Sequence, residues 1–166
     1  MNHRKNNYRR FLFLFLIASV IMPRIHAAAP SKAPDYREYT QLEIADLLFD
    51  AVQARRLQDS KVFCQGKVIH SPQLKKDEII LYRMVITCCA ADAQPFGILV
   101  KLPEKAAFQN EEWAGVAGVM QLLPMNEKLR EAEPLANLVS QGTVYPCLTA
   151  AKAYPVNAPA GEYLYY

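Results

Sequence analysis

The sequence has few of the residues from which familiar catalytic and metal-binding motifs are built. Its 166 residues include three histidines, at positions 3, 26 and 70, and no Cys-x-x-Cys pair. Only His70 remains if residues 1–27 are a cleaved signal peptide, as predicted below, so a multi-histidine metal site and a relay of several histidines are excluded. The missing Cys-x-x-Cys pair excludes a thioredoxin-like redox motif. No known catalytic motif occurs elsewhere in the chain, so we expect a protein that is not an enzyme.

A hydrophobic run long enough to cross a membrane comfortably is also missing. Phe11–Met22 is apolar except for Ser19. This run is shorter than the ~20 residues of a typical membrane span. Four basic residues among the first ten precede this run, and small residues follow it at 23–29. This is the layout of a signal peptide. We predict that residues 1–27 are a signal peptide cleaved after Ala27, with export to the periplasm or cell envelope. An uncleaved N-terminal anchor is the alternative.

An excess of positive charge is absent once that segment is removed. The whole chain carries a net charge of +3, but residues 1–27 hold five of its 19 Lys and Arg and none of its 16 Asp and Glu. The remainder has 14 basic and 16 acidic residues, a net charge of −2. A nearly neutral domain lacks the electrostatic footprint of a nucleic-acid-binding protein. We therefore expect no nucleic-acid partner.

The remaining chain predicts a linker at 28–39, rich in Pro, Ala and charged residues, and one domain at 40–166. Thr40 and Glu43 form a capping-box pattern that predicts a helix from Thr40 into Arg55 and Arg56. Five segments have the alternation of strands, and a short connecting helix is predicted at 103–112. The predicted strands are Val62–His70, Ile79–Cys89, Phe96–Leu102, Trp113–Leu123 and Thr143–Ala153.

Glycines inside these strands predict the architecture. Gly66, Gly115 and Gly118 lie in mid-strand, where glycine marks a bulge or a tight bend. Strongly bent strands with helices before and between them are typical of a small barrel. We predict a mainly β, OB-like Greek-key barrel with an N-terminal helix and a short connecting helix. A β-sandwich is the alternative.

The second strand leads to the candidate site. Its even-numbered residues from Ile80 to Cys88 are all apolar, whereas its odd-numbered residues, which end at Cys89, are mixed. Because side chains alternate between the two faces of a strand, Cys88 is predicted to be buried and Cys89 accessible. A disulfide between adjacent cysteines would close a strained ring. The chain then turns, which brings Cys89 towards Asp92.

Three segments carry a resemblance to a known family. The sequences at 65–68, 82–97 and 113–118 contain Gln-Gly-Lys-Val, Arg-x-x-Ile-x-Cys-Cys-x-Ala-Asp-type and Trp-Ala-Gly-Val-Ala-Gly motifs. Together they resemble the uncharacterised YcgQ-like family. The motif residues are Gly66, Arg83, Gly97, Trp113 and Gly118.

The resemblance implies an OB-like domain outside the membrane that works beside a multi-span permease. It also implies a link to a divalent metal, with zinc as the candidate. The familiar form has two membrane spans before this domain, whereas this chain has one short apolar segment in their place.

Two thiols and a carboxylate within five residues form the candidate metal site. Cys88, Cys89 and Asp92 supply ligand types that zinc accepts, and His70 or Cys64 could complete a tetrahedron. The alternative is structural: Cys88 packs in the core, Cys89 is a small outer residue and Asp92 caps the turn. The residues alone leave both interpretations open.

Other chemistries fit the cysteines less well. A redox thiol needs a nearby cation, and Arg83 lies six residues from Cys89, about 20 Å along a strand. A hydrolase built from Cys89, His70 and Asp92 lacks any local motif. The four cysteines, which include Cys147, permit three disulfide pairings, and the sequence does not choose among them.

The function predicted from the sequence is therefore an exported accessory or binding subunit. It partners a membrane permease and binds a divalent metal, with zinc as the candidate cofactor. The alternatives are a protein-interaction module with purely structural cysteines and a thiol redox protein.

Overall fold

Five strands of this chain close into a barrel in the computed structural model, which describes residues 35–53, 55–103, 106–132 and 144–166. The barrel strands are β2 (Lys61–Ile69), β3 (Glu78–Ile86), β4 (Gln94–Lys101), β5 (Trp113–Pro124) and β6 (Val144–Pro155). Smaller elements surround them: strand β1 (Thr40–Gln41), helix α1 (Ile44–Gln53), a 3-10 turn (Ala90–Asp92), helix α2 (Glu127–Arg130) and strand β7 (Tyr163–Tyr165).

The strand order establishes the barrel. Hydrogen-bonded neighbours run β2-β5-β6-β4-β3, and β3 pairs again with β2 to close the sheet. All these pairs are antiparallel except β4 with β6. The five predicted strands are all present, and the closed sheet is consistent with the predicted OB-like barrel. The alternative of a two-sheet sandwich is wrong, because a single sheet closes on itself.

Two glycines allow the close approaches that closure requires. A Cβ atom on Gly66 would lie 2.7 Å from both the Tyr82 carbonyl oxygen and Ile44 Cδ1. A Cβ atom on Gly118 would lie 2.2 Å from the Thr149 carbonyl oxygen, beside a break in register between β5 and β6. The bends predicted from mid-strand glycine are therefore built where a larger residue would clash.

Helix α1 begins later than the sequence predicts. Thr40 belongs to β1 rather than to an N-cap, and the backbone amide of Glu43 donates to the carboxylate of Asp46 at 3.1 Å. The helix ends at Gln53, and Arg55 has a φ of 54°, in the left-handed region. The predicted cap at Thr40 is wrong because pairing with β2 holds Thr40 extended. The predicted basic last turn is wrong because the helix ends at Gln53, before both arginines.

The predicted connecting helix between β4 and β5 is wrong for its described residues, since 106–112 form loop and turn. Instead, the C-terminal tail supplies an unpredicted element. β7 pairs in parallel with β3, and Leu164 lies opposite Val85. Neither described helix is long and apolar enough to span a membrane.

Residues assigned to the signal peptide and most of the linker lie outside the described residues. The end of the linker packs on the barrel, with the ring of Tyr36 stacked on Phe63 at a centroid distance of 4.1 Å. Helix α1 packs at the end of the barrel where β3 ends: Phe49 meets Phe96 at 6.2 Å, and the Tyr166 hydroxyl donates to Asp46 at 3.3 Å.

Candidate metal site after strand β3

The turn after β3 is built around the carboxylate of Asp92. Its Oδ1 accepts the backbone N–H of Thr87 at 3.2 Å. Its Oδ2 accepts the Thr87 hydroxyl at 3.0 Å and the backbone N–H groups of Cys88 at 2.8 Å and Cys89 at 3.3 Å. The amide of Asp92 donates back to the Cys89 carbonyl at 2.9 Å. These bonds satisfy backbone donors that the end of the strand leaves free, and they hold both cysteines beside the acid.

The three predicted local ligands converge. The sulfur atoms of Cys88 and Cys89 and a carboxylate oxygen of Asp92 all lie within 4.8 Å of one another. Two thiolates on one tetrahedral zinc stand about 3.8 Å apart, given Zn–S bonds of ~2.3 Å. A small side-chain adjustment would therefore place all three atoms around one ion. Cys88 and Cys89 are exposed, and Asp92 is partly exposed.

The prediction that Cys88 is buried is wrong. Strand β3 ends at Ile86, two residues before Cys88, so the alternation that assigned it to the core no longer applies. Instead both faces of β3 are covered: Leu81, Arg83 and Val85 on the odd face are buried as well as Ile80 and Tyr82 on the even face.

The two more distant predicted ligands do not join the cluster. Cys64 is 1% exposed in the barrel core. His70 follows Ile69, which pairs with Ile80, so His70 is level with Ile79 near the start of β3. The strand then runs seven residues, or ~23 Å, to its end at Ile86 before the turn that holds the cluster. His70 Nε2 instead contacts the Phe108 carbonyl oxygen at 2.9 Å. The expected fourth ligand is therefore not supplied by either residue.

The pKa of the acid in the site and the pKa values of the buried core thiols are shifted in opposite directions. Burial acts to raise the pKa of Asp92, but its hydrogen bonds from Thr87, Cys89 and Cys88 outweigh this and lower the pKa below its usual value. Burial raises the pKa of Cys64 to about 12 and that of Cys147 to about 11. All four cysteines are free thiols.

The other motif residues form a brace away from the cluster. Arg83 is 4% exposed and donates to the Gly161 carbonyl at 2.7 Å and to Glu43 at 3.3 Å. Its guanidinium lies 5.1 Å from the centre of the Trp113 ring. Trp113 is partly exposed. Arg83 thus links β3 to the start of α1 and to the tail.

Gly97 supports the same region from the neighbouring strand. It is buried opposite Tyr82 in the pairing of β3 with β4. Tyr82 in turn donates its hydroxyl to Glu111 at 2.8 Å. Among the described residues, these motif positions support the barrel and contribute no ligand to the thiol cluster.

Sequence reasoning missed a cavity at the opposite end of the barrel. It has a volume of about 440 Å³ and lies between the turn before β3, the ends of β4 and β5, and the start of β6. The one signal in the sequence was Glu78, an acid directly before an apolar strand, and the structure leaves it only 9% exposed.

Several solved structures are similar in outline at low identity. An aspartyl-tRNA synthetase from Leishmania major Friedlin has a TM-score of 0.42 and 11% identity over 79% of this chain, which covers 23% of the synthetase. The Schizosaccharomyces pombe Stn1-Ten1 complex has a TM-score of 0.39 and 10% identity over 79% of this chain and 86% of that chain. A DUF3299 family protein from Pseudomonas aeruginosa PAO1 has a TM-score of 0.43 and 11% identity over 74% of this chain and 99% of that one.

These similarities carry no functional conclusion, and no curated protein matches the chain. One family does match by sequence. The model of the DUF1980 C-terminal domain matches residues 51–166, which include the whole barrel and the thiol cluster. Because the match covers well over half of the sequence, this chain belongs to the DUF1980 C-terminal domain family.

Proposed function

We propose that this domain is a non-enzymatic accessory module that binds a soft or borderline divalent metal, zinc first, at Cys88, Cys89 and Asp92. The observation that carries the proposal is the convergence of two exposed thiols and a carboxylate oxygen within 4.8 Å. Packing does not account for the thiols, because neither is buried. Thiolate ligands select zinc or copper(I) over magnesium or calcium.

The hydrogen bonds of Asp92 determine which of its carboxylate oxygens could bind the metal. A carboxylate has about four lone-pair positions. Oδ2 already accepts three donors, whereas Oδ1 accepts one. Oδ1 therefore has capacity for a metal without breaking the turn. The two sulfurs and Oδ1 make three ligands, and the fourth position is open to water or to a ligand from another molecule.

An open position distinguishes this site from a structural zinc site. Structural zinc is normally enclosed by four protein ligands, and domains built on it unfold without the metal. Here hydrogen bonds shape the turn on their own, and the barrel has a large apolar core. The arrangement suits a metal that is held transiently and passed on, and it makes metal unnecessary for folding.

A membrane permease is the partner that the YcgQ-like resemblance implies, with the domain exported and working outside the membrane. An exposed apolar surface supports a partner at this end of the barrel. We call Phe49, Val52, Tyr165 and Tyr166 the aromatic surface; each is at least 42% exposed. The amide of Tyr166 donates to the Ile86 carbonyl, two residues before Cys88. A partner docked on this surface would therefore lie beside the end of β3, from which the chain continues into the thiol cluster.

The experiment is a zinc titration of reduced protein against a chromophoric chelator, followed by thermal melts. We expect one zinc per chain in the wild type, and an affinity at least 10- to 100-fold lower in Cys88→Ser and Cys89→Ser. Losses of that size follow even when only residues behind the ligands are changed. Cys147→Ala, which removes a buried thiol, is the matched control and should keep the wild-type affinity. Equal zinc affinity in the wild type and Cys89→Ser would refute the site.

The alternative of a pure interaction module predicts a different pattern. In that case neither cysteine substitution would alter a zinc response, while substitutions on the aromatic surface would release the partner. The zinc titration of the cysteine variants separates the two hypotheses, and co-purification of the permease with the wild type and with Tyr165→Ser tests where the partner docks. Loss of zinc binding together with retained permease binding in Cys89→Ser would show that the two functions use separate residues.

A further inference from the structure

The cavity at the far end of the barrel has the dimensions of a small-molecule site. Its volume of about 440 Å³ falls within the ~300–1,000 Å³ of ligand pockets. One wall comes from the turn between β2 and β3, and another from the segment that follows β5. In OB-type barrels, ligands bind between the loops that follow the first and fourth strands. The cavity occupies that place in this barrel.

Apolar side chains make up much of the wall. Leu74, Leu99, Leu123, Met125 and Leu129 all line the cavity. Leu99 and Leu129 are buried, and the other three pack partly buried against the core. A wall of aliphatic side chains and one methionine favours an apolar ligand body. Among the described residues of the lining, Tyr145 is the one aromatic side chain, which does not suit the stacked bases of a single-stranded nucleic acid.

Tyr145 brings a hydrogen-bonding group without a partner. The residue is 1% exposed, and its hydroxyl makes no hydrogen bond to any residue in the described part of the chain. Burial raises its pKa well above the usual value, so the hydroxyl stays protonated. A buried hydroxyl without a partner is unusual in folded proteins. Tyr145 therefore brings an unused hydrogen-bond donor to a residue that lines the cavity.

Three charged residues line the cavity with Tyr145: Lys75, Glu78 and Lys101. The carboxylate of Glu78 accepts the backbone N–H of Lys75 at 3.1 Å and lies 3.5 Å from the Lys75 ammonium. Lys101 stands opposite Glu78 in the pairing of β3 with β4 and also lines the cavity. Across the described ranges, no carboxylate lies within ion-pair distance of the Lys101 ammonium. An ammonium group and a hydroxyl donor in the same cavity favour the binding of an anionic hydrogen-bond acceptor.

We propose that this cavity binds a small carboxylic acid with an apolar body, whose carboxylate is held by Lys101 and Tyr145 and whose body packs on the aliphatic wall. One unpaired cation matches the single negative charge of a carboxylate better than the double charge of a phosphate monoester. The site is independent of the metal cluster. Glu78 and Ile86 are the two ends of a nine-residue strand, which separates the sites by about 26 Å at ~3.3 Å per residue.

Octanoate is the probe, and octanamide is its neutral counterpart of the same shape. Calorimetric titration of the full chain should show saturable octanoate binding at one site, with octanamide at least about ten-fold weaker, as expected for hydrogen bonds to a charged group. Lys101→Gln should remove this preference for the anion. Tyr145→Phe keeps the ring and should weaken octanoate several-fold without loss of folding. Lys76→Gln, a lysine outside the cavity lining, is the matched control.

Several outcomes would overturn the proposal. These are an absence of saturable octanoate binding, equal binding of octanoate and octanamide, or an anion preference that survives in Lys101→Gln. If a single-stranded oligonucleotide displaced octanoate, and Lys101→Gln left octanoate binding unchanged, the cavity would instead be assigned to nucleic acid. Zinc affinity should be unchanged in Tyr145→Phe. The octanoate titration therefore tests the cavity proposal, and the zinc titration tests the metal site independently.

Discussion

The four cysteines of this protein form two pairs with opposite surroundings. Cys64 and Cys147 lie in the barrel core at 1% and 0% exposure, and burial raises the pKa of each thiol. Cys88 and Cys89 lie exposed in a turn within 4.8 Å of a carboxylate oxygen. The same residue type thus serves as a small core side chain in one pair and as a candidate ligand in the other. Burial, rather than the presence of a cysteine, indicates which role applies.

The largest difference between the pairs should appear in thiol labelling. Cys88 and Cys89 should react with iodoacetamide at the rate of an exposed thiol. Cys64 and Cys147 should react only when the barrel opens, and we expect them to be at least about 10³-fold slower because global opening is rare in stable domains. Mass spectrometry of peptides from the folded protein over time measures all four rates. Fast labelling of Cys64 would contradict its placement in the core.

Acid should weaken zinc binding steeply, which is the second largest effect. Each thiol that binds zinc must release its proton, so two thiolate ligands give up to a 100-fold loss of affinity per pH unit. Cys89→Ser should reduce this slope to about ten-fold per unit. Competition titrations between pH 6 and pH 7.5 measure both slopes. A wild-type slope equal to that of Cys89→Ser would show that only one thiol binds.

Serine substitutions should separate the pairs by stability. Cys64→Ser and Cys147→Ser place a hydroxyl in the apolar core, which costs about 1–3 kcal/mol when the hydroxyl finds no partner. Cys88→Ser and Cys89→Ser should change the free energy of unfolding by less than about 0.5 kcal/mol, since both residues are exposed. Urea unfolding of the four variants provides the comparison. A large loss in Cys88→Ser would mean that this thiol is structural after all.

The smallest expected effect concerns the acid that holds the exposed pair. Because hydrogen bonds lower the pKa of Asp92, its ionised form stabilises the fold above the usual carboxyl pKa of ~3.9, and this contribution is lost as the pH falls through the lower folded pKa. Asp92→Asn should therefore have a lower Tm than the wild type at pH 7, and the difference should shrink towards pH 3. Asp77→Asn, at an exposed position in another turn, is the control. A difference in Tm that persists at pH 3 would assign the effect to shape rather than to charge.

The sequence by itself determined the features that depend on neighbouring residues. Alternation of apolar residues located all five barrel strands, and mid-strand glycine marked the bends at Gly66 and Gly118. The spacing of Cys88, Cys89 and Asp92 was enough to predict that they meet, because a single turn spans that distance. Such patterns are local, so a linear reading captures them. The prediction of Cys88 burial failed because alternation does not reveal where a strand stops.

Tertiary structure alone decided everything that depends on strand register and barrel closure. The register of β2 against β3 places His70 at the far end of β3, and Cys64 is buried in the core. The cluster is therefore left with three ligands. Pairing of the tail with β3 places Tyr165 and Tyr166 beside Ile86, two residues before Cys88. The cavity joins Glu78, Lys101 and Tyr145 from three separate strands. Distances between residues so remote in sequence are fixed by which strands pair and in what register, and no local pattern records that choice.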